Sequence, residues 1–202
     1  MIPAIVLAAG ASSRMGRPKA LLQTGERTFV RAILDALRTA GVTDAVVVVR
    51  TGQPEVIAEI AAAGFGRHVL NPRPEDGQLS SLLAGLDAVD RDGVEAVLVT
   101  LVDVPLIGAD AVRTLIARAR ASNAPILRVV HQGRHGHPVL FKNTVFDALR
   151  RADPAIGAKA VTRAWPPEDV EVPDSGVAED VDTPADYARL VEMSRPNPGD
   201  RG

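Results

Sequence analysis

Two hydrophobic patterns alternate along the chain. One is the short unbroken apolar run: Ile5-Val6-Leu7, Ala45 to Val49, and Ala96 to Val102. Runs of this kind predict strands buried on both faces, as in a parallel sheet. The shorter His68-Val69-Leu70 reads as a further strand. The other pattern spaces apolar residues three and four positions apart. Phe29 to Ala40 carries Val30, Ile33, Leu34 and Leu37 in this way and stops at Gly41, which predicts a helix with one buried stripe. Glu55 to Ala63, closed by Gly64, Leu79 to Val89, and Ala109 to Ala121 also read as helices. Strand and helix in repeated alternation predict an α/β chain, its mostly parallel sheet covered on both faces.

The pattern changes after Pro125. Ile126 to His131 and Pro138 to Phe141 are strand-like runs around Gln132-Gly133-Arg134, a hairpin-like connection and a local excursion from the parallel sheet. Helical segments follow at Thr144–Arg151 and Ala158–Ala164, then a last strand at Val170-Glu171-Val172. Thr183-Pro184-Ala185-Asp186 has the makings of a helix start: Thr as cap, Pro at the first position and an acid in the first turn. That helix is expected to run to about Met193, and residues 195–202, rich in Pro, Gly and charge, to form a disordered tail. No linker divides the rest, so residues 1–194 read as one domain.

Composition narrows the class. With 202 residues, 46% hydrophobic and 24% charged, the chain can build one sizeable core. A net charge of −2 leaves no basic footprint for nucleic acid, and cysteine is absent, which excludes disulfides, thiolate metal sites and thiol nucleophiles. No apolar run approaches the ~18 residues of a membrane span. Met1-Ile2-Pro3 leads directly into a strand with no leader pattern, so a cytoplasmic location is the expectation.

The chemistry concentrates where the first strand ends. Leu7 gives way to the small residues Ala8, Ala9, Gly10, Ala11, Ser12 and Ser13, and Arg14 and Lys19 follow on a loop that also holds Gly16 and Pro18. Small side chains let a ligand approach the backbone, and free N–H groups with two cations make an anion nest. A polyphosphate site at the carboxyl end of a strand is the natural reading. It is not a P-loop: Gly10 and Gly16 are too widely spaced, and Arg17-Pro18 stands before Lys19. Nor is it a dinucleotide fingerprint, because Ala11-Ser12 follows Gly10.

Asp103 follows the run Ala96–Val102 and faces the same rim, where a carboxylate can hold the divalent cation that phosphate chemistry uses. Gly77-Gln78-Leu79-Ser80-Ser81 enters a helix. Its polar groups can read a base and a ribose, or Ser80 and Ser81 can simply cap the helix. Asp180 and Asp182 point to one side of an extended segment, as part of a second metal or acceptor site or as a solvated acidic turn.

Leu7 to Lys19 matches L-A-A-G-x-S-x-R-M-G-x-x-K, the signature loop of the nucleotidyltransferases, at every fixed position. Val102-Asp103-Val104-Pro105 is similar to the family's G-D-x-P, with Val102 where the family has glycine. Asn71-Pro72 with Gly77 and Ser81 is similar to the cytidylyltransferase loop N-P-x-x-x-x-G-x-x-x-S, Gly136-His137-Pro138-Val139-Leu140 to a run of the molybdenum cofactor cytidylyltransferases, and Asp180 to Asp186 to their closing D-I-D-T-P-x-D. The chain therefore resembles a cytidylyltransferase of the molybdopterin nucleotidyltransferase (MobA-like NTP transferase) family. The resemblance implies a single-domain, three-layer α/β/α, Rossmann-like nucleotidyltransferase fold. It implies transfer of a nucleoside monophosphate, CMP from CTP, to the terminal phosphate of molybdopterin, with pyrophosphate released.

On that resemblance Arg14, Lys19 and Asp103 are catalytic. Leu7 to Ser13, Gly77, Gln78, Ser80 and Ser81 bind nucleotide, His137 and Asp180 bind the acceptor, and Asp103 and Asp182 hold Mg²⁺ or Mn²⁺. A molybdoenzyme or its chaperone would receive the product. The rival readings are a guanylyltransferase of the same pathway, whose loop usually reads L-A-G-G, a sugar-1-phosphate or isoprenoid-precursor nucleotidyltransferase, and a nucleotide-binding regulator without turnover.

Overall fold

The computed structural model describes residues 1–10 and 15–193. The expected tail at 195–202, with Ala11, Ser12, Ser13 and Arg14 of the loop, lies outside the described residues. Nine strands are found among the described residues: β1 (Ala4–Leu7), β2 (Gln23–Thr24), β3 (Arg27–Thr28), β4 (Ala45–Arg50), β5 (Arg67–Asn71), β6 (Ala96–Leu101), β7 (Ile126–His131), β8 (Arg134–Lys142) and β9 (Glu168–Glu171). The helices are α1 (Phe29–Thr39), α2 (Pro54–Ala62), α3 (Gln78–Val89), α4 (Ala109–Ala121), α5 (Phe146–Arg150), α6 (Lys159–Ala164) and α7 (Pro184–Met193).

Seven strands form one sheet in the order β5-β4-β1-β6-β8-β7-β9, while β2 and β3 make a separate small hairpin. The first four are parallel. β8 runs antiparallel to both β6 and β7, and β9 returns parallel to β7. The expected excursion after Pro125 is thus an antiparallel strand set inside the main sheet. Gln132 and Gly133 both adopt positive φ, 49° and 78°, as a tight hairpin turn between right-twisted strands requires. The strand that follows starts at Arg134, earlier than the apolar run at Pro138 indicates.

Alternate residues of each central strand enter opposite cores. Val6, Val47 and Val49 pack with Ile33, Val56 and Leu115 of α1, α2 and α4. Ile5, Val46 and Val48 pack with Leu82, Leu149 and Val161 of α3, α5 and α6. The three layers expected of the sequence are present. Helix and sheet approach tightly at Gly85 of α3, where a methyl group would stand 2.4 Å from Ile5 Cγ2 and 3.0 Å from Val48 Cγ2. Gly85→Ala is therefore expected to cost about 1–3 kcal/mol through overpacking. Urea melts are expected to show a lower midpoint at an unchanged slope.

Parallel pairing sets Leu7 beside Leu101 and Val48, so the chain leaves β1 and β6 at one rim of the sheet. The N-terminus of α3 opens at the same rim. That is where parallel α/β sheets place their ligands.

Candidate active site

A cleft of about 380 Å³ opens at this rim. One wall is the backbone from Leu7 to Gly10, the floor is Leu101 to Asp103, and Gly77, Gln78 and Ser81 form the opposite wall. Lys19 and Asp182 close its far end, with Met15 and Pro74 completing the lining. The side chains of Ala8 and Ala9 are buried in the two cores. The loop therefore shows backbone to the cleft, as an anion nest requires.

Three separate stretches of chain bring the charges together. Val104 N–H donates to Leu101 O, a tight turn that leaves the Asp103 side chain at the cleft. Val102, where the resembled family has glycine, is buried and donates its N–H to Leu7 O. That backbone bond, which glycine would make equally, ties the floor to β1. The Asp103 carbonyl accepts the N–H of Val181, at 2.8 Å, and so draws the segment before α7 alongside.

Asp182 is held by the start of α7. Thr183 Oγ1 accepts from Asp186 N–H, and Asp186 Oδ2 accepts from the backbone N–H groups of Thr183 and Asp182, a reciprocal cap. The donors from Thr183 hold the Asp186 carboxyl below its usual range. The Tyr187 hydroxyl accepts from Gln23 N–H and its ring meets Phe29 edge-on, which anchors α7 to β2 and α1.

Lys19 joins these stretches. It lies in a single helical turn after Pro18, and its Nζ is 2.6 Å from Asp182 Oδ1 and 3.0 Å from Asp103 Oδ2. Its side chain is only 13% exposed. Burial alone would lower its pKa, but the two carboxylates outweigh burial and raise it above the ordinary 10.5. The other oxygen of Asp103, Oδ1, is buried with no hydrogen-bond partner among the described residues. An ionised carboxylate oxygen in that position calls for a cation or a donor.

The helix entry carries a polar knot centred on Asn71, a residue given no role of its own from the sequence. Asn71, 1% exposed at the end of β5, donates from Nδ2 to Ser80 Oγ at 2.8 Å and to Ser81 Oγ at 2.9 Å. Its Oδ1 accepts from Arg73 N–H. Gly77, at φ 84°, provides the left-handed step into α3. The signal for Asn71 was a polar residue ending an apolar strand just before a proline. Ser80 does not line the cleft. Its hydroxyl sits 2.8 Å from the carbonyls of Arg73 and Gly77 and borders a separate groove. It is thus engaged with the loop before α3 and turned away from the cleft, because the helical turn points successive serines in different directions. Ser81 and Gln78 do line the cleft.

The two residues expected to bind an acceptor do not line the cleft itself. Asp180 borders a small recess with Leu106 and Arg189. Its charge nevertheless reaches His137, as does that of Asp103. His137 lies on β8, with Nδ1 3.4 Å from Val99 O, and lines a pocket next to the cleft. Burial pushes its pKa below 6.5, which leaves the ring neutral at pH 7.

Similarity to known proteins agrees with this architecture. The chain is 32% identical to a phosphoenolpyruvate guanylyltransferase of Sphaerobacter thermophilus, over 82% of this chain and 80% of that protein. It is 28% identical to a probable molybdenum cofactor guanylyltransferase of Mycobacterium avium, over 93% and 94% of the two chains. Among solved structures, Rv0371c of Mycobacterium tuberculosis superposes with a TM-score of 0.81 at 30% identity, over 95% of this chain and 97% of that one. Rv0371c has also been solved in complex with manganese, a structure that superposes at 0.75. A model of the MobA-like NTP transferase domain matches residues 4–170, and the chain belongs to that family of nucleotidyltransferases.

Proposed function

We propose that the chain transfers a nucleoside monophosphate from an NTP to a phosphate-bearing acceptor and releases pyrophosphate. An acceptor phosphate oxygen attacks the α-phosphorus, a new P–O bond forms, and the bond to the β-phosphate oxygen breaks. The acceptor is already a nucleophile, so catalysis reduces to positioning and charge stabilisation. The observation that carries this reading is the Lys19–Asp103–Asp182 cluster at the end of a cleft walled by loop backbone. Lys19 and Arg14 offset charge on the phosphates, and Gln78 and Ser81 orient the nucleoside.

Asp103 and Asp182 fit a divalent cation. Two carboxylates supplemented by substrate phosphates are a usual Mg²⁺ environment, and the orphaned Asp103 Oδ1 supplies a free ligand atom. Mg²⁺ or Mn²⁺ bound there offsets charge on the reacting phosphates. The manganese complex of Rv0371c supports this assignment.

The base has two supported readings. The Gly136–Leu140 run and the Ala8-Ala9-Gly10 loop resemble the CTP users, with molybdopterin as acceptor. The relatives named guanylyltransferases support GTP. Ala9 is an almost wholly buried residue of the cleft wall, so Ala9→Gly is expected to change the CTP-to-GTP ratio of kcat/KM by less than about threefold, well under what a full methyl contact of ~1–3 kcal/mol would give. The test of the reaction is pyrophosphate release with each NTP, Mg²⁺ and molybdopterin. We expect CTP to exceed GTP in kcat/KM, and the reverse order assigns the chain to guanylyl transfer. No pyrophosphate release with any NTP would overturn the transferase reading.

A further inference from the structure

The side-chain amide of Asn71 has one orientation open to it. Its Oδ1 lies 2.9 Å from the N–H of Arg73, and a backbone N–H can only donate. Nδ2 must therefore face the two serines of α3, 2.8 Å from Ser80 Oγ and 2.9 Å from Ser81 Oγ. Both amide hydrogens are engaged there, so both hydroxyl oxygens are acceptors. At 1% exposure the amide is shut off from solvent.

Each serine hydroxyl has one hydrogen of its own. Ser80 gives its hydrogen to the carbonyl of Arg73 or of Gly77, each 2.8 Å away. Ser81 differs. Its Oγ accepts from Asn71, and its hydrogen meets no acceptor among the described residues. Ser81 is buried in its helix yet lines the cleft, across from the Leu7–Gly10 backbone. Its hydrogen is left for whatever the cleft holds.

We propose that Asn71 is a positioning residue: it fixes Ser81 as a hydrogen-bond donor, and so favours a nucleoside that offers the cleft a base carbonyl oxygen. The inference rests on the transferase reading and adds a rule for the base. Cytosine, uracil and guanine carry such an oxygen, and adenine does not. A hydroxyl free to rotate serves a donor or an acceptor equally. Ser81 is not free. Turning it to give its hydrogen back toward Asn71 strands a buried N–H, and a ligand group that only donates leaves the serine hydrogen without a partner. Ribose hydroxyls both give and accept, so the fixed direction discriminates against a base edge and not against the sugar.

Calorimetric titration of ATP, CTP and GTP, with Mn²⁺ at pH 8, into the full chain tests this. ATP is expected to bind at least about tenfold more weakly than the better of CTP and GTP. Ser81→Ala is expected to weaken that better nucleotide about tenfold, and ATP by less than about twofold. Asn71→Asp reverses the bond. The aspartate keeps the shape and the bond from Arg73 N–H, and three surrounding donors hold it ionised. Ser81 then gives its hydrogen to the aspartate and shows the base a lone pair, so the better nucleotide is again expected to lose about tenfold. The double variant is expected to bind no more weakly than either single one, whereas an asparagine with a structural role only would give losses that multiply. In pyrophosphate release the loss is expected in the KM for the NTP, with kcat within about threefold of wild type. Should Asn71→Asp fail to fold, as judged by its melting, Asn71→Ala takes its place. Its expected loss is about threefold and vanishes in the Ser81→Ala background. Full affinity in Asn71→Asp beside a loss in Ser81→Ala would overturn the inference, as would losses that multiply, or ATP bound as tightly as CTP and GTP. Absence of binding by every NTP would instead sink the transferase reading and this inference with it, so the two failures are distinct.

Discussion

Asp103→Asn is expected to lower kcat about a thousandfold while the KM for the NTP rises only a few-fold. Loss of one preorganised charged group at a developing transition state costs roughly two to three orders of magnitude, and this carboxylate has two tasks. Its Oδ2 faces Lys19 Nζ and its Oδ1 is buried without a donor among the described residues. Asparagine keeps the shape and removes the charge that both a divalent cation and Lys19 require. The fold is expected to persist, because the backbone bond from Val181 to Asp103 O does not involve the side chain. The check is kcat and KM in pyrophosphate release, with Mn²⁺ titrated into wild type and variant. A variant with wild-type turnover, or wild-type turnover in excess chelator, would refute the metal assignment.

Lys19→Ala is the second large effect, with an expected loss in kcat/KM of about two to three orders of magnitude. The structure adds a consequence in the absence of substrate. Lys19 lies between two carboxylates, so its removal takes away the charge that it sets against Asp103 and Asp182. The variant is expected to be less stable than wild type at low salt, and Mn²⁺ to raise its Tm more than that of wild type, by preferential binding to the folded state. The pH dependence has a definite sign. Because the folded pKa of Lys19 lies above 10.5, its contribution to stability is fully present below pH 10.5 and is lost only as pH rises through that higher value. Wild-type activity is thus expected to show no alkaline limb from Lys19 between pH 7 and 10. Turnover within tenfold of wild type would sink the role given to this residue.

Much of the molecule is legible in the chain itself. Helix α4 runs over the span its spacing predicts, Ala109–Ala121, and the central strands lie within a residue or two of the apolar runs. Those signals are local, since burial on both faces removes alternation and burial on one face imposes a helical period. The two-residue strands β2 and β3 were not legible, because segments that short carry no periodicity. The early start of β8 was hidden for a related reason: Arg134 to Gly136 is strand by virtue of its pairing with β7, with no apolar pattern of its own.

In the site, the sequence determined which kinds of group would meet. A strand running into small residues and two cations is the pattern expected of an anion-binding loop, and an aspartate ending a neighbouring buried strand specifies a carboxylate at the same rim. Thr183-Pro184-Ala185-Asp186 determined its own helix cap, because capping uses neighbours in the chain. Tertiary structure decided the distances and the partners. That Lys19 bridges Asp103 and Asp182 depends on the Val181 N–H bond to Asp103 O and on Tyr187 anchoring α7, contacts between residues far apart in sequence. The same holds for Ser80 turned to the carbonyls of Arg73 and Gly77 while Ser81 faces the cleft, and for His137 in a neighbouring pocket. Residue spacing sets which side of its own element a group occupies, whereas only the packing of elements sets which surface lies opposite it.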